Sequence, residues 1–220
     1  MESFDRVILI DKPAGLSSFG VVARVRRKLT DDAGHRVKVG HTGTLDPFAT
    51  GLMILLSGKF TRRAGEFSKL DKVYQATICL GATSTTGDPE GEIIKAKSTL
   101  QGPSLQKVKE TLSKFVGQIT QTPPIYSAIK IDGQRAYKLA RKGETPKMPS
   151  RQVEIYSLEL LDYEYPNLKI SAHCSSGTYI RTLAEDIGKE LGTGAYTMEL
   201  RRTKVGQYDV QTAKKMLEKL

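Results

Sequence analysis

Cysteine and histidine are scarce in this chain of 220 residues. There are two cysteines, Cys79 and Cys174, and three histidines, His35, His41 and His173. Two cysteines argue against a disulfide framework and for a reducing, cytoplasmic compartment. The histidines lack ligand spacing and no CxxC occurs, so no metal site is expected. G-x-G-x-x-G and G-x-S-x-G are also absent, and the Gly-Lys pair at 58–59 lacks the spacing and the Ser/Thr of a Walker A loop. A phosphate-transfer enzyme is therefore disfavoured. No apolar run approaches membrane-spanning length. The opening MESFDRVILID carries acidic residues where a signal peptide would be basic and then apolar. Internal repeats and low-complexity segments are missing as well.

What the chain does have is an apolar fraction of 39%, enough for a sizeable core, and a formal charge of +10 from 34 basic and 24 acidic residues. Such an excess of cations points to a polyanionic partner, most often nucleic acid. The least random stretch is VGHTGTLDPFATGLMILLSG, residues 39–58. Glycines at 40, 43, 51 and 58 mark tight turns or close backbone approach. The run Leu52 to Leu56 fits a strand buried on both faces. A polar, turn-rich loop clamped to a buried strand can hold one side chain still while leaving it reachable. Besides His41, the only nucleophile or base in that loop is Asp46. An arbitrary Asp-Pro would serve as an Asx-turn.

Hydrophobic periodicity predicts a strand at 6–10, a helix from Ser17 or Ser18 to about Leu29, a polar connector at 30–34 and a short helix at 61–67. Strong alternation predicts a strand at 72–80 with Tyr74 on one face. A helix over 104–115 would carry Leu105, Val108, Leu112 and Phe115 on one stripe and stop at Gly117. Residues 127–131 read as a strand and 136–141 as a short helix closed by Gly143. Paired strands follow at 153–160 and 168–175, with Cys174 and Cys79 as core thiols. A helix with Ile180, Leu183, Ala184, Ile187 and Leu191 on its stripe ends at Gly192, and Arg181 lies off that stripe. A strand at 195–203 and a short basic helix capped by Thr212 complete the chain. Between 124 and 151, Lys130, Arg135, Lys138, Arg141, Lys142, Lys147 and Arg151 interleave with Tyr126 and Tyr137, a composition suited to phosphate contact and base stacking.

GHTGTLDPFATG resembles the signature of the TruB-type tRNA pseudouridine synthases, over many consecutive positions. DKPAGLSS, GATSTTGDPEG, GTYIRTLA and LRRTKVG resemble further motifs of that family, in its order. Ser17 stands where threonine is usual, and Thr85 where the family has an aspartate, while Asp88 and Gly91 match. The resemblance implies an α+β fold: a mixed, mostly antiparallel sheet flanked by helices, in a single catalytic domain over 1–220. It also implies an RNA-gripping insertion at about 124–151. Members of the family commonly carry a further RNA-binding domain after the LRRT motif, but only Lys204 to Leu220 follow it here, so no separate C-terminal domain is expected. The implied activity is isomerisation of uridine to pseudouridine at position 55, in the T-loop of tRNA. No cofactor, membrane or guide RNA is implied, and the protein is expected to act as a monomer.

In this resemblance Asp46 is the nucleophile, Arg181 pairs with it, and Tyr74 stacks on the uracil and can serve as base. Tyr179 and Leu200 line the uracil pocket, and His41 props the vacated stack. Lys130, Lys138, Arg141 and Lys142 would grip the RNA. Two alternatives share the motifs: a guide-RNA-dependent synthase subunit, and a non-catalytic RNA-binding protein on the same scaffold.

Overall fold

A computed structural model describes residues 4–96 and 101–215. The elements in chain order begin with β1 (Val7–Lys12), α1 (Ser18–Ala33), β2 (Val39–His41), β3 (Thr50–Ser57), α2 (Ala64–Ser68), β4 (Lys72–Leu80), β5 (Ala82–Ser84) and β6 (Ile93–Lys95). Then come α3 (Leu105–Ser113), β7 (Gly117–Gln121), β8 (Lys130–Ile131), β9 (Gln134–Arg135), α4 (Ala136–Ala140), β10 (Arg151–Glu164) and β11 (Asn167–Cys174). The chain closes with α5 (Ile180–Leu191), β12 (Ala195–Val205), β13 (Tyr208–Asp209) and β14 (Lys214–Lys215). A mixed sheet with flanking helices makes this the expected α+β class. The chain divides into two compact units, Met1–Tyr74 with Leu200–Leu220, and Gln75–Glu199.

In the first unit β3 is central. β1 runs antiparallel to it, from Val7 opposite Leu56 to Lys12 opposite Gly51, and β2 pairs antiparallel with its last three residues, from Val39 opposite Ser57 to His41 opposite Leu55. The end of β12 lies parallel to it through Arg201–Thr50 and Arg202–Gly51. Seven of the eight β3 residues are buried, as the unbroken apolar run required. Leu52, Ile54 and Leu56 pack with Phe67, Val205 and Val210, each such side chain contributing about 1.5–3 kcal/mol. α1 covers the unit with Val21, Val22, Val25 and Leu29 and does not stop at Leu29. It runs through the polar residues to Ala33 and ends where Gly34 turns left-handed. The single helix expected at 61–67 is a 3-10 segment, Gly58–Arg63, followed by α2. Asp209, rather than Thr212, caps the turn Val210–Thr212, and Lys214–Lys215 then pair with β1. The helix expected beyond Thr212 extends outside the described residues.

In the second unit β10 pairs antiparallel with β11 on one side and β7 on the other. Ile155, Leu168, Ile170, Ala172 and Cys174 are buried, and Cys174 is the core thiol expected, whereas Cys79 is half-buried. α5 buries Ile180, Leu183, Ala184 and Ile187 and is closed by Gly192 in the left-handed region. Leu105, the first residue of the predicted α3 stripe, is 48% exposed, because the helix begins there and packs through Val108, Thr111 and Leu112. Gly117 opens β7, a strand that periodicity does not show. The predicted strand at 127–131 reduces to β8, in a tight hairpin with β9.

Candidate active site

The loop carrying Asp46 connects β2 to β3 in the first unit. Thr42 is tied to the Ile54 carbonyl by its N–H (3.1 Å) and its hydroxyl (3.3 Å). The buried Ser18 hydroxyl donates to the Leu45 carbonyl (2.7 Å) and accepts from the Leu45 N–H (2.8 Å). Ser17, its neighbour, supplies the α1 N-cap through Gly20 N–H. Beyond Asp46, the Pro47 carbonyl accepts from Gly15 N–H (2.9 Å) and Lys12 Nζ (3.0 Å). Asp46 itself is half-buried, and its carbonyl accepts from Ala49 N–H (3.1 Å). The loop is thus anchored at the residues on both sides of the aspartate, which is the clamped arrangement its composition required.

Arg202 is the anchor that sequence reasoning missed. It is 2% exposed, and Nε donates to the Leu52 carbonyl (2.8 Å), Nη2 to Gly43 (3.1 Å) and Nη1 to Thr44 (3.3 Å). No carboxylate lies within ion-pair reach of it among the described residues, in contrast to Arg201, which grips Asp11 with both Nη atoms. The β12 backbone can approach β3 this closely at Arg202 only because position 51 is glycine. A Cβ there would lie 2.2 Å from the Arg202 carbonyl oxygen, and the backbone has φ +104°. The motif LRRTKVG is visible in the sequence, but it points only to Leu200. An arginine buried against carbonyls has no periodic signature.

His41, Tyr74 and Leu200 belong to the same unit. His41 ends β2 half-buried, while Tyr74 and Leu200 are buried at 8% and 7% exposure.

Arg181 and Tyr179 belong to the second unit. Arg181 is not on a solvated face, though it lies off the apolar stripe: it is 3% exposed. Nη1 meets Asp88 Oδ2 (3.2 Å) and the Thr86 carbonyl (2.8 Å), and Nη2 the Tyr126 carbonyl (2.8 Å). Asp88 is equally buried, and its other oxygen accepts from Thr86 Oγ1 (2.5 Å) and Glu90 N–H (3.0 Å). Removing one partner of such a pair strands the other charge, at a cost of about 3–5 kcal/mol. Glu185 lies one turn along α5. Burial raises its carboxyl pKa and the Arg181 guanidinium opposes that, while Asp186 and Asp88 add to the rise. Thr85 closes the β5–β6 turn by accepting from Glu92 N–H with its hydroxyl (3.0 Å).

Lys130, Lys138, Arg141 and Lys142 are all exposed, on and around the β8–β9 hairpin and α4, which is held by buried Ala136, Leu139 and Ala140. Arg141 lies over the Tyr137 ring at 5.7 Å. No helix among the described residues is long and apolar enough to cross a membrane.

Residues 26–180 match the family model for the TruB family pseudouridylate synthase N-terminal domain, and residues 181–220 that for the tRNA pseudouridylate synthase B C-terminal domain. A relative from Bordetella avium, named tRNA pseudouridine synthase B, is 45% identical over 213 residues, covering 96% of this chain and 85% of its own. Another of that name from Phocaeicola vulgatus is 46% identical over 201 residues, covering 91% and 85%. Among solved structures, a chain of a Cbf5-Nop10-Gar1 complex superposes with a TM-score of 0.73 at 29% identity, over 96% of this chain but 52% of that one. The chain belongs to the TruB family of pseudouridylate synthases.

Proposed function

We propose that this protein converts uridine to pseudouridine at position 55, in the T-loop of tRNA, with Asp46 as nucleophile and with no guide RNA or cofactor. The observation that supports this best is the Asp46 loop, anchored on both sides of a half-buried carboxylate, in a chain whose 45%-identical relatives bear the name tRNA pseudouridine synthase B. The base must leave C1′, turn and rejoin through C5, a rearrangement without redox change. A held carboxylate can stabilise the separated pieces, and the target nucleotide must first leave its stack. Tyr74 stacks on the uracil and is the candidate base for the last proton, with His41 propping the vacated stack and Leu200 and Tyr179 lining the uracil pocket. Arg181's role as the cation that keeps Asp46 ionised rests on the motif GTYIRTLA. Lys130, Lys138, Arg141 and Lys142 hold phosphates.

The guide-dependent alternative has one observation behind it, the likeness to chains of complexes titled Cbf5-Nop10-Gar1 and H/ACA RNP. Those chains are 29% and 27% identical, well below the tRNA synthases. We read the protein as a monomer acting on its own in the cytoplasm. Incubating the purified protein with a T-arm hairpin alone and mapping pseudouridine by mass decides the matter. Conversion is expected, and a requirement for a second RNA would establish the alternative.

A further inference from the structure

β7 ends at Gln121, a polar side chain with no exposed surface. Its amide faces one residue, Tyr179: Oε1 accepts from the Tyr179 N–H (3.0 Å) and Nε2 donates to the Tyr179 carbonyl (3.2 Å). Those backbone partners dictate which end of the amide points where, because the N–H can meet only oxygen and the carbonyl only nitrogen. Tyr179 is the N-cap residue of α5, with extended backbone and no capping hydrogen bond from its own side chain. At a helix start the N–H groups need partners from outside, and Gln121 supplies one to the Tyr179 N–H, while the Tyr179 carbonyl accepts from the Leu183 N–H (3.1 Å) as well as from Gln121. Thr182 adds a bond to the next residue of the same strand end, the Thr122 carbonyl (3.4 Å).

The ring of Tyr179 is held by a different residue. Arg151 opens β10 and is the cross-strand partner of Gln121. Its guanidinium lies 5.0 Å from the centroid of the Tyr179 ring, and its Nη2 donates to the Gly177 carbonyl. That is cation–π range, in a half-buried setting where the contact is strengthened by desolvation. Arg151 therefore differs from Lys138, Arg141 and Lys142, with which its charge would group it: they are exposed, whereas it is half-buried and tied to the Gly177 carbonyl as well as to the Tyr179 ring.

We propose that Gln121 and Arg151 are positioning residues, a cross-strand pair that fixes the backbone and ring of Tyr179 so that it meets the target base in one orientation. This rests on the role given to Tyr179 above. A residue displaced by an ångström at a reacting centre costs about a hundredfold in rate, whereas affinity spread over many phosphates barely notices it.

The test is single-turnover pseudouridine formation at saturating T-arm hairpin, with hairpin affinity measured in parallel. It compares wild type, Tyr179→Ala, Gln121→Leu, Arg151→Met and the two doubles with Tyr179→Ala. Gln121→Leu is close in volume and removes both bonds; Gln121→Glu, which keeps the acceptor, stands in if the leucine variant folds poorly. Gln121→Leu and Arg151→Met are each expected to slow the single-turnover step about tenfold or more with affinity within about twofold. In the Tyr179→Ala background each should change the rate by less than about twofold, since residues acting through one partner are not additive. Equal losses in both backgrounds, or an undiminished rate in Gln121→Leu and Arg151→Met, would overturn the proposal. If Tyr179→Ala is as fast as wild type, or wild type is inactive, the functional reading fails first and the inference falls with it.

Discussion

Replacing Arg202 by methionine should loosen the Asp46 loop. Methionine keeps most of the stem volume and removes every donor. The Leu52 carbonyl is then buried without its partner, at a cost of about 1–3 kcal/mol. The Gly43 and Thr44 carbonyls are only partly buried, so water replaces much of what they lose. Against this, a guanidinium that is 2% exposed, with no carboxylate partner among the described residues, no longer needs to be desolvated, which returns part of the loss. The hydrogen-bond side wins because the buried Leu52 carbonyl has no water to replace the lost donor, and the net is about 1–2 kcal/mol of destabilisation. With a urea slope near the upper end of about 1–3 kcal/mol/M for a chain of this size, the midpoint should fall by about 0.5 M. Catalysis should suffer at temperatures where the variant is still folded, because the loop's tie to β3 is the interaction removed. Paired urea titrations and single-turnover assays check both. A midpoint and rate equal to wild type would refute the idea that Arg202 anchors the loop.

Two other outcomes follow from charge. Neutralising Lys138, Arg141 and Lys142 together should weaken tRNA binding and make the slope of log affinity against log salt shallower, by about 0.7–0.9 for each phosphate no longer neutralised. The single-turnover rate at saturation should hardly change, and an unaltered slope would place the phosphate grip elsewhere. Glu185 has a raised pKa in the folded protein, so its ionised form is the disfavoured one. The penalty is complete above the folded pKa and fades as pH falls through it towards the unfolded value. Glu185→Gln should therefore raise the urea midpoint at pH 7, with the gain shrinking on acidification through the carboxylate range.

Much of the fold is legible from periodicity and composition. The apolar run of β3, the alternation of β4 and the stripe and Gly192 cap of α5 each follow from one local rule, and local rules decide them. What escapes such rules is polar and non-local. β7, reading GQITQ, buries little but Gln121, and its strand character comes from pairing with β10. No periodicity marks Lys12 or Arg202 as buried, yet both lie inside, in one row across β1, β3 and β12, on either side of the glycine at 51. Arg181 lies off the α5 stripe, as its spacing predicts, but its burial depends on Asp88 and the Thr86 and Tyr126 carbonyls, far away in the chain. The helix over 30–33 outlasts its apolar stripe because nothing ends it before Gly34. Motif resemblance carries Asp46, Tyr74 and Leu200, and the anchors around Asp46 need coordinates.

The central claim is that Asp46 performs the chemistry on a scaffold that binds RNA without it. Asp46→Asn is close to isosteric and leaves the Ala49 N–H bond to the residue 46 carbonyl in place. Purified wild type and Asp46→Asn should be incubated with the same T-arm hairpin, with pseudouridine mapped by mass and affinity measured alongside. Wild type should convert the target uridine, and Asp46→Asn should bind the hairpin as tightly and convert none of it. Conversion by Asp46→Asn at a near-normal rate would contradict the account.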